Sequence, residues 1–238
     1  QKVQFDIDVR NLIERFPHCR FLSLGSGGGG DVLQALQYNA AEIHAVEVIP
    51  HINYLMKEGM LRGFSGDIYN DPRVVVVTED ARAYVRKFKK RFDVIYSLSS
   101  NTFAAFASGS FALAENYLFT KEAFKDYWTA LSDSGYMSLE HQFYAPRLVA
   151  ELVEALEELG VPRPTSHFAV YDLTTLRRKL ILISKRPLDE KTTVAAYANS
   201  APEVLGGMRR LYPPVEETKG NLFDAIVTTG WRAAADTA

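Results

Sequence analysis

Hydrophobic and polar positions along the chain switch repeatedly between two periods. Short apolar runs of four to six residues alternate with stretches that place an apolar residue every third or fourth position, the pattern of strand followed by helix. Residues Phe5 to Phe16 open with the helical period, with Ile7, Leu12, Ile13 and Phe16 as the apolar side. After Cys19 the pattern predicts strand Phe21–Leu24, helix Asp31–Tyr38, strand Ile43–Val48 and helix Pro50–Leu61. The turn Asn70-Asp-Pro-Arg73 then leads to strand Val74–Val77 and helix Ala81–Phe88. Strand Val94–Ser97, helix Lys121–Leu131, strand Tyr136–Leu139 and helix Arg147–Leu159 follow. Such units imply an α/β fold with a mostly parallel sheet and helices on both faces. Strands Phe168–Tyr171 and Leu180–Ser184 are joined by Asp172 to Lys179, too short for a helical crossover. They are expected to form an antiparallel hairpin at one sheet edge.

Beyond Lys185, Pro187, Pro202, Pro213 and Pro214 interrupt short helical stretches such as Glu203–Leu211. The chain therefore divides into a main domain, residues 1–185 with an N-terminal helix over 1–17, and an appended helical segment, 186–238, expected to pack on it.

The most informative stretch is Phe21-Leu-Ser-Leu-Gly-Ser-Gly-Gly-Gly-Gly-Asp31, a buried strand running into a glycine loop that opens a helix. Glycines there permit positive φ and let a ligand touch backbone, and the helix N-terminus favours negative charge. The match Gly25, Gly27, Gly30 to G-x-G-x-x-G is weak alone, since a tight structural turn looks the same. Glu47, closing the next strand about twenty residues on, has the spacing of a carboxylate that holds a nucleotide ribose. Asp80, after the third strand, can accept from an adenine amino group while the Ala81 N–H reaches the ring. Standing directly before helix Ala81–Phe88, Asp80 is equally placed to cap it. Glu140 and His141 end the fifth strand on the same edge of the sheet, where either can serve as a general base. Ser97, which closes the fourth strand, is grouped with the cofactor-binding residues.

Net charge of −2 and a pI near 6.3 give no general attraction to nucleic acid, and none is expected as a partner. The clusters Arg86-Lys-Phe-Lys-Lys-Arg91 and Arg177-Arg-Lys179 read as solvated faces. His44, His51 and His167 lack metal-ligand spacing, so no metal is expected. The single cysteine, Cys19, cannot form an internal disulfide and reads as a buried small hydrophobe in a reducing, cytoplasmic protein. No apolar run has the length of a membrane span, and no signal peptide opens the chain. The reading leaves room for a cytosolic module of a longer protein with a membrane-embedded region elsewhere.

At this point a resemblance enters. Leu24-Gly-Ser-Gly-Gly-Gly-Gly30, Ala45-Val-Glu-Val48, Asp71-Pro-Arg-Val74, Glu79-Asp-Ala-Arg-Ala-Tyr84, Phe92-Asp-Val-Ile95 and Glu115-Asn-Tyr-Leu-Phe-Thr120 occur in order. They resemble the spermidine synthase-like (polyamine aminopropyltransferase-like) branch of class I S-adenosylmethionine-dependent transferases, over Phe21 to Ile183. The resemblance implies a Rossmann-like class I methyltransferase fold with a seven-stranded sheet and a C-terminal antiparallel hairpin. It implies S-adenosylmethionine or its decarboxylated form as cofactor. Glu47 would hold the ribose, Asp80 with Ala81 the adenine, and Gly25, Ser26, Gly27, Gly28 and Gly30 the aminoacyl or aminopropyl tail.

The departures carry equal weight. Aminopropyltransferases resemble one another in G-G-G-D-G-G, where this chain has Gly28 at the aspartate position. They carry D-S-S-D-P after the fourth strand, where it reads Leu98-Ser-Ser-Asn-Thr102. Neither Leu98 nor Asn101 can deprotonate an amine, so methyl or other alkyl transfer to an unknown small-molecule acceptor is the expectation. Asn101, Glu140 and His141 are its candidate catalytic residues. Aminopropyl transfer with atypical acids, a nonenzymatic ligand-binding or scaffolding module, and a nicotinamide-dependent oxidoreductase are the alternatives. The long segment Ser97 to Thr120 has the character of a lid or binding loop. Its Phe103, Phe106 and Phe111 either cover a planar or apolar substrate or pack a core segment or homodimer face. Glu115 and Tyr117 face the pocket or fix that loop.

Overall fold

β-Branched and aliphatic runs bounded by Gly, Asn and Pro assemble into one sheet of eight strands. The structure, a computed structural model, describes residues 10–98, 117–141, 144–173, 177–195, 208–230 and 233. Its strands are β1 (Arg20–Leu24), β2 (Glu42–Glu47), β3 (Val74–Thr78), β4 (Phe92–Leu98), β5 (Leu131–His141), β6 (Phe168–Leu173), β7 (Arg178–Ser184) and β8 (Met208–Tyr212). They lie in the order β3-β2-β1-β4-β5-β7-β6-β8. The pairs among β1 to β5 are parallel, while β5–β7, β6–β7 and β6–β8 are antiparallel. Strand order reverses between β1 and β4, and ligands of open α/β sheets bind at the carboxyl ends beside such a switch.

Strand pleating sends alternate residues to two cores. One face buries Phe21, Ile43, Val94, Tyr96, Leu180 and Leu182 with Leu12 and Ile13 of helix α1 (Arg10–Ile13) and Val32 and Ala35 of α2 (Gly30–Gln37). The other buries Leu22, Ile95, Leu139, Ile181 and Val170 against three helices: α5 (Ala81–Val85), α6 (Lys121–Ala130) and α7 (Ala145–Glu158). At the amino ends, Asp93 of β4 takes two hydrogen bonds of 2.9 Å from the Arg20 guanidinium and one of 3.0 Å from the Arg20 N–H, tying β4 to β1. Cys19 is fully buried, and burial raises its thiol pKa to about 12.

Two expectations are corrected. The stretch Pro50–Leu61 is not one helix: α3 (Pro50–Lys57) stops, and a short α4 (Leu61–Ser65) follows. Gly59 marks the break, its N–H bonding Tyr54 O, and its close approach to the Leu55 backbone leaves no space for a Cβ. The second correction lies in the appended segment. Where a helix over Glu203–Leu211 is expected, residues 208–212 form β8 and the rest of that stretch lies outside the described residues. β8 pairs with β6, so the hairpin is not at the sheet edge and the sheet has eight strands rather than seven. The open backbone edge of β6 explains the change: a ladder partner satisfies it, and Leu211 and Tyr212 enter the core. Helix α9 (Leu222–Thr229), capped by Asn221, adds Phe223 and Ile226 to the same core; α8 (Glu190–Ala195) lies between β7 and β8 in sequence.

Candidate functional site at the carboxyl ends of the strands

The glycine loop folds directly over the end of β2. The N–H groups of Gly25 and Ser26 both bond Val46 O, at 2.9 and 3.0 Å. The Glu47 carboxylate then spans two segments: Oε2 accepts from Gly27 N–H at 3.1 Å and Oε1 from Ile49 N–H at 2.9 Å. Glu47 is therefore buried and fixed, yet each oxygen retains a second lone pair. That is an acceptor set suited to two neighbouring hydroxyls, such as a ribose presents.

Positive φ occurs at Gly25, Gly27 and Gly29. Gly30, the third glycine of the expected motif, is instead the first residue of α2, and Gly29 does its turn work. Gly29 has φ of 73°, and a Cβ there would stand 2.7 Å from Ile68 Cδ1 and 2.9 Å from a Tyr69 ring carbon. Gly28 differs, for a Cβ added to it meets nothing within 4 Å. The residue that replaces the aspartate of the aminopropyltransferase loop is thus glycine without a local steric demand for it.

Tyr69 was not legible as a site residue. It follows α4 in a single-turn helix (Ile68–Asn70), and its buried hydroxyl donates toward Ser26 Oγ at 3.0 Å and Gly27 O at 2.9 Å. Asp31 lies in the first turn of α2, directly after the glycine loop. Burial raises its pKa to about 6, against the Val32 N–H bond to its carboxylate and the helix end, both of which favour ionisation.

Asp80 caps α5 through Oδ1, which accepts from Ala83 N–H at 2.8 Å, with Ala81 beginning the helix behind it. The cap occupies one oxygen, Oδ1. Arg82 of the same motif pairs with Asp126 at 2.8 Å and lies 4.5 Å from the centroid of the Tyr117 ring. Two separated motifs of the sequence, around Asp80 and around Tyr117, meet at this stack. Ser97 is buried near the end of β4, across from Leu139 of β5. Asn101, Phe103, Phe106, Phe111 and Glu115 lie outside the described residues.

Glu140 and His141, adjacent in sequence, point to opposite faces of β5. His141 follows Met137 and Leu139 onto the α6–α7 side, edge-on to Phe119 at a ring distance of 5.5 Å. Its Nδ1 accepts the Tyr144 N–H at 3.2 Å, which puts the ring proton on Nε2, and burial lowers its pKa to about 4. Glu140 shares the opposite face with Tyr96. It is 1% exposed, with Arg178 Nη1 3.3 Å from Oε2 and the Tyr96 hydroxyl 3.5 Å from Oε1. Tyr96 and Arg178 could have been anticipated only from the register that brings β4, β5 and β7 side by side.

The fold is that of a class I methyltransferase-like protein, with the glycine loop and Glu47 at the carboxyl ends of its strands. A sequence profile of the spermine/spermidine synthase domain matches residues 17–187, most of the chain, and the chain belongs to that family. The family's transferases use S-adenosylmethionine or its decarboxylated form. The polyamine aminopropyltransferase of Thermotoga maritima is 28% identical over 123 residues, 51% of this chain and 38% of the relative. The matched region thus spans well under half of that relative's length. A probable spermidine synthase from Corynebacterium glutamicum superposes with a TM-score of 0.64 at 20% identity, covering 92% of this chain and 77% of the other. Human methyltransferase-like protein 13, in complex with SAH, gives 0.58 at 14% identity and covers 91% and 93%. These two likenesses establish the fold. Among the described residues, no helix is long and apolar enough to cross a membrane.

Proposed function

We propose that the chain is a transferase that moves a methyl or other alkyl group from an S-adenosylmethionine-type nucleoside to a small-molecule acceptor. The observation that carries this reading is Glu47, locked by Gly27 and Ile49 N–H with lone pairs to spare beside a glycine loop. Gly25 to Gly30, Glu47, Asp80, Ala81 and Ser97 would hold the nucleoside. When bound, its sulfonium supplies an electrophilic carbon that a nucleophile can attack as the C–S electrons return to sulfur. The chain's task is to align the two reactants and exclude water. Glu140 is the favoured proton acceptor for the attacking group. His141 is disfavoured because its Nδ1 is occupied and its pKa of about 4 makes it a weak base at neutral pH.

The Thermotoga relatives keep aminopropyl transfer as a second reading; the acid-free Leu98 position weighs against it. The two part on their products. Incubated with an acceptor panel, the protein should release S-adenosylhomocysteine from S-adenosylmethionine, or decarboxylated S-adenosylhomocysteine from the decarboxylated form. Release of methylthioadenosine with spermidine or putrescine as acceptor would replace methyl by aminopropyl transfer. Turnover that survived Glu140→Gln undiminished would remove Glu140 from its assigned role.

A further inference from the structure

The carboxylates drawn into this fold divide by what faces them. Among the described residues, Asp93 meets Arg20, Glu140 meets Arg178, and Asp172 meets Lys179 and Arg209. Glu47 is held by backbone N–H groups alone. Asp31, partly exposed, shares that condition. Val32 N–H, its own N–H and the Ser23 hydroxyl favour its charged form, and no cation does. Taking a carboxylate out of water without a counter-ion is costly, and desolvation raises the Asp31 pKa to about 6. These two carboxylates both stand against the glycine loop, Glu47 through its bond to Gly27 and Asp31 by following Gly30.

The place of Asp31 in the fold identifies the cation that would satisfy it. Ser23 is fully buried, its hydroxyl has no other partner, and it lies on the sheet face that α2 covers. It pairs with Tyr96 of β4 across the reversal in strand order, so Asp31 overhangs the crevice where an open α/β sheet binds its ligand. Glu47 ends β2, which lies beside β1 at a spacing of about 4.8 Å. A nucleoside whose ribose sits on Glu47 therefore extends its sulfur-linked tail over β1 toward β4. That tail bears an ammonium on its third carbon, far enough along to cross one strand. Gly25 to Gly30 carry no ionisable side chain, so the negative charge at this crossing comes from Asp31. A carboxylate present only to complement the end of α2 would do so as well in a solvated position.

We propose that Asp31 is the counter-ion of the nucleoside's tail ammonium, received at the β1–β4 crevice with the Ser23 hydroxyl steadying the carboxylate. This rests on the transferase reading and adds a specificity to it. Nucleosides that keep the amino tail are selected over methylthioadenosine, which lacks it.

Calorimetric titration of the whole chain and of Asp31→Asn at pH 7.5 uses S-adenosylhomocysteine and methylthioadenosine as probes. Neither carries a sulfonium and only the first carries an ammonium, so the comparison isolates the tail. The parent should bind both, and S-adenosylhomocysteine more tightly. Asp31→Asn removes one charge-assisted hydrogen bond and should weaken S-adenosylhomocysteine at least about tenfold. Methylthioadenosine should bind the variant within about twofold of the parent, which also shows that the fold and the ribose site are intact. Equal weakening of the two ligands, no weakening of either, or a parent that binds S-adenosylhomocysteine no more tightly than methylthioadenosine would overturn the proposal and leave the nucleoside site standing. Failure of the parent to bind either ligand would overturn the transferase reading and the proposal with it.

Discussion

Single residues decide whether this edge can hold a nucleoside. Glu47 is bound by two backbone N–H groups before any ligand arrives, so its geometry is preset and its charge is the variable. A charge-assisted hydrogen bond contributes about 1.5–3 kcal/mol, and Glu47→Gln should weaken nucleoside binding about 10- to 100-fold; its amide nitrogen cannot accept, so one of the two backbone N–H bonds is lost as well, at about 1–3 kcal/mol of stability. The loop glycines separate in the same way. Gly29→Ala puts a Cβ against Ile68 and Tyr69 at positive φ and should cost about 2–4 kcal/mol in urea denaturation. Gly28→Asp should stay within about 1 kcal/mol of the parent, since a Cβ there meets nothing within 4 Å. Comparable losses at both positions would contradict the loop geometry. Glu47 was legible in the sequence because a strand end and a spacing of about twenty residues define it. Tyr69 was not, because its hydroxyl reaches Ser26 from 43 positions away and no local pattern records such a contact.

Elements were legible where their period was unambiguous and invisible where a neighbour decided the outcome. The alternation from β1 to β7 follows from apolar runs and helical spacing, with boundaries shifted by one to a few residues. β5 extends five residues earlier than expected, to Leu131, because pairing with β4 recruits a polar turn that periodicity alone passes over. Met208–Tyr212 carries no decisive period, and only the open edge of β6 makes it a strand. The same pleat that orders the sheet separates Glu140 from His141, which sequence adjacency had put together. At the amino ends, burial alone would raise the Asp93 pKa, but the hydrogen bonds and charge of Arg20 hold it below the ordinary range. Asp93→Asn leaves Arg20 without its anion between β1 and β4 and should lower stability by about 2–3 kcal/mol. A loss below about 0.5 kcal/mol would show that solvent replaces the pair freely.

Two groups, buried His141 and partly exposed Asp31, set opposite pH slopes on the molecule as a whole. His141 titrates near 6.5 when unfolded and about 4 when folded. The stability it contributes is complete above pH 6.5 and lost as pH falls through 4, amounting to about 3 kcal/mol at roughly 1.4 kcal/mol per unit. Asp31 works in reverse: its folded pKa of about 6 exceeds the ordinary 3.8, so the stability it contributes is present below 3.8 and lost as pH rises through 6. Asp31→Asn should therefore stabilise the protein at pH 7.5, by about 1–2 kcal/mol given the partial exposure of the side chain. Denaturant midpoints across pH 3.5 to 8 should show that gain disappear below pH 4; a gain independent of pH would assign it to something other than ionisation. Asp31 is thus held beside the glycine loop at some cost in stability, as groups at functional sites commonly are. The central claim is that this edge binds a sulfonium nucleoside through Glu47, and the most direct measurement is calorimetric titration of parent and Glu47→Gln with S-adenosylmethionine. The account predicts saturable one-to-one binding by the parent, weakened 10- to 100-fold in the variant. Equal affinity in the two proteins, or no binding by the parent, would contradict it.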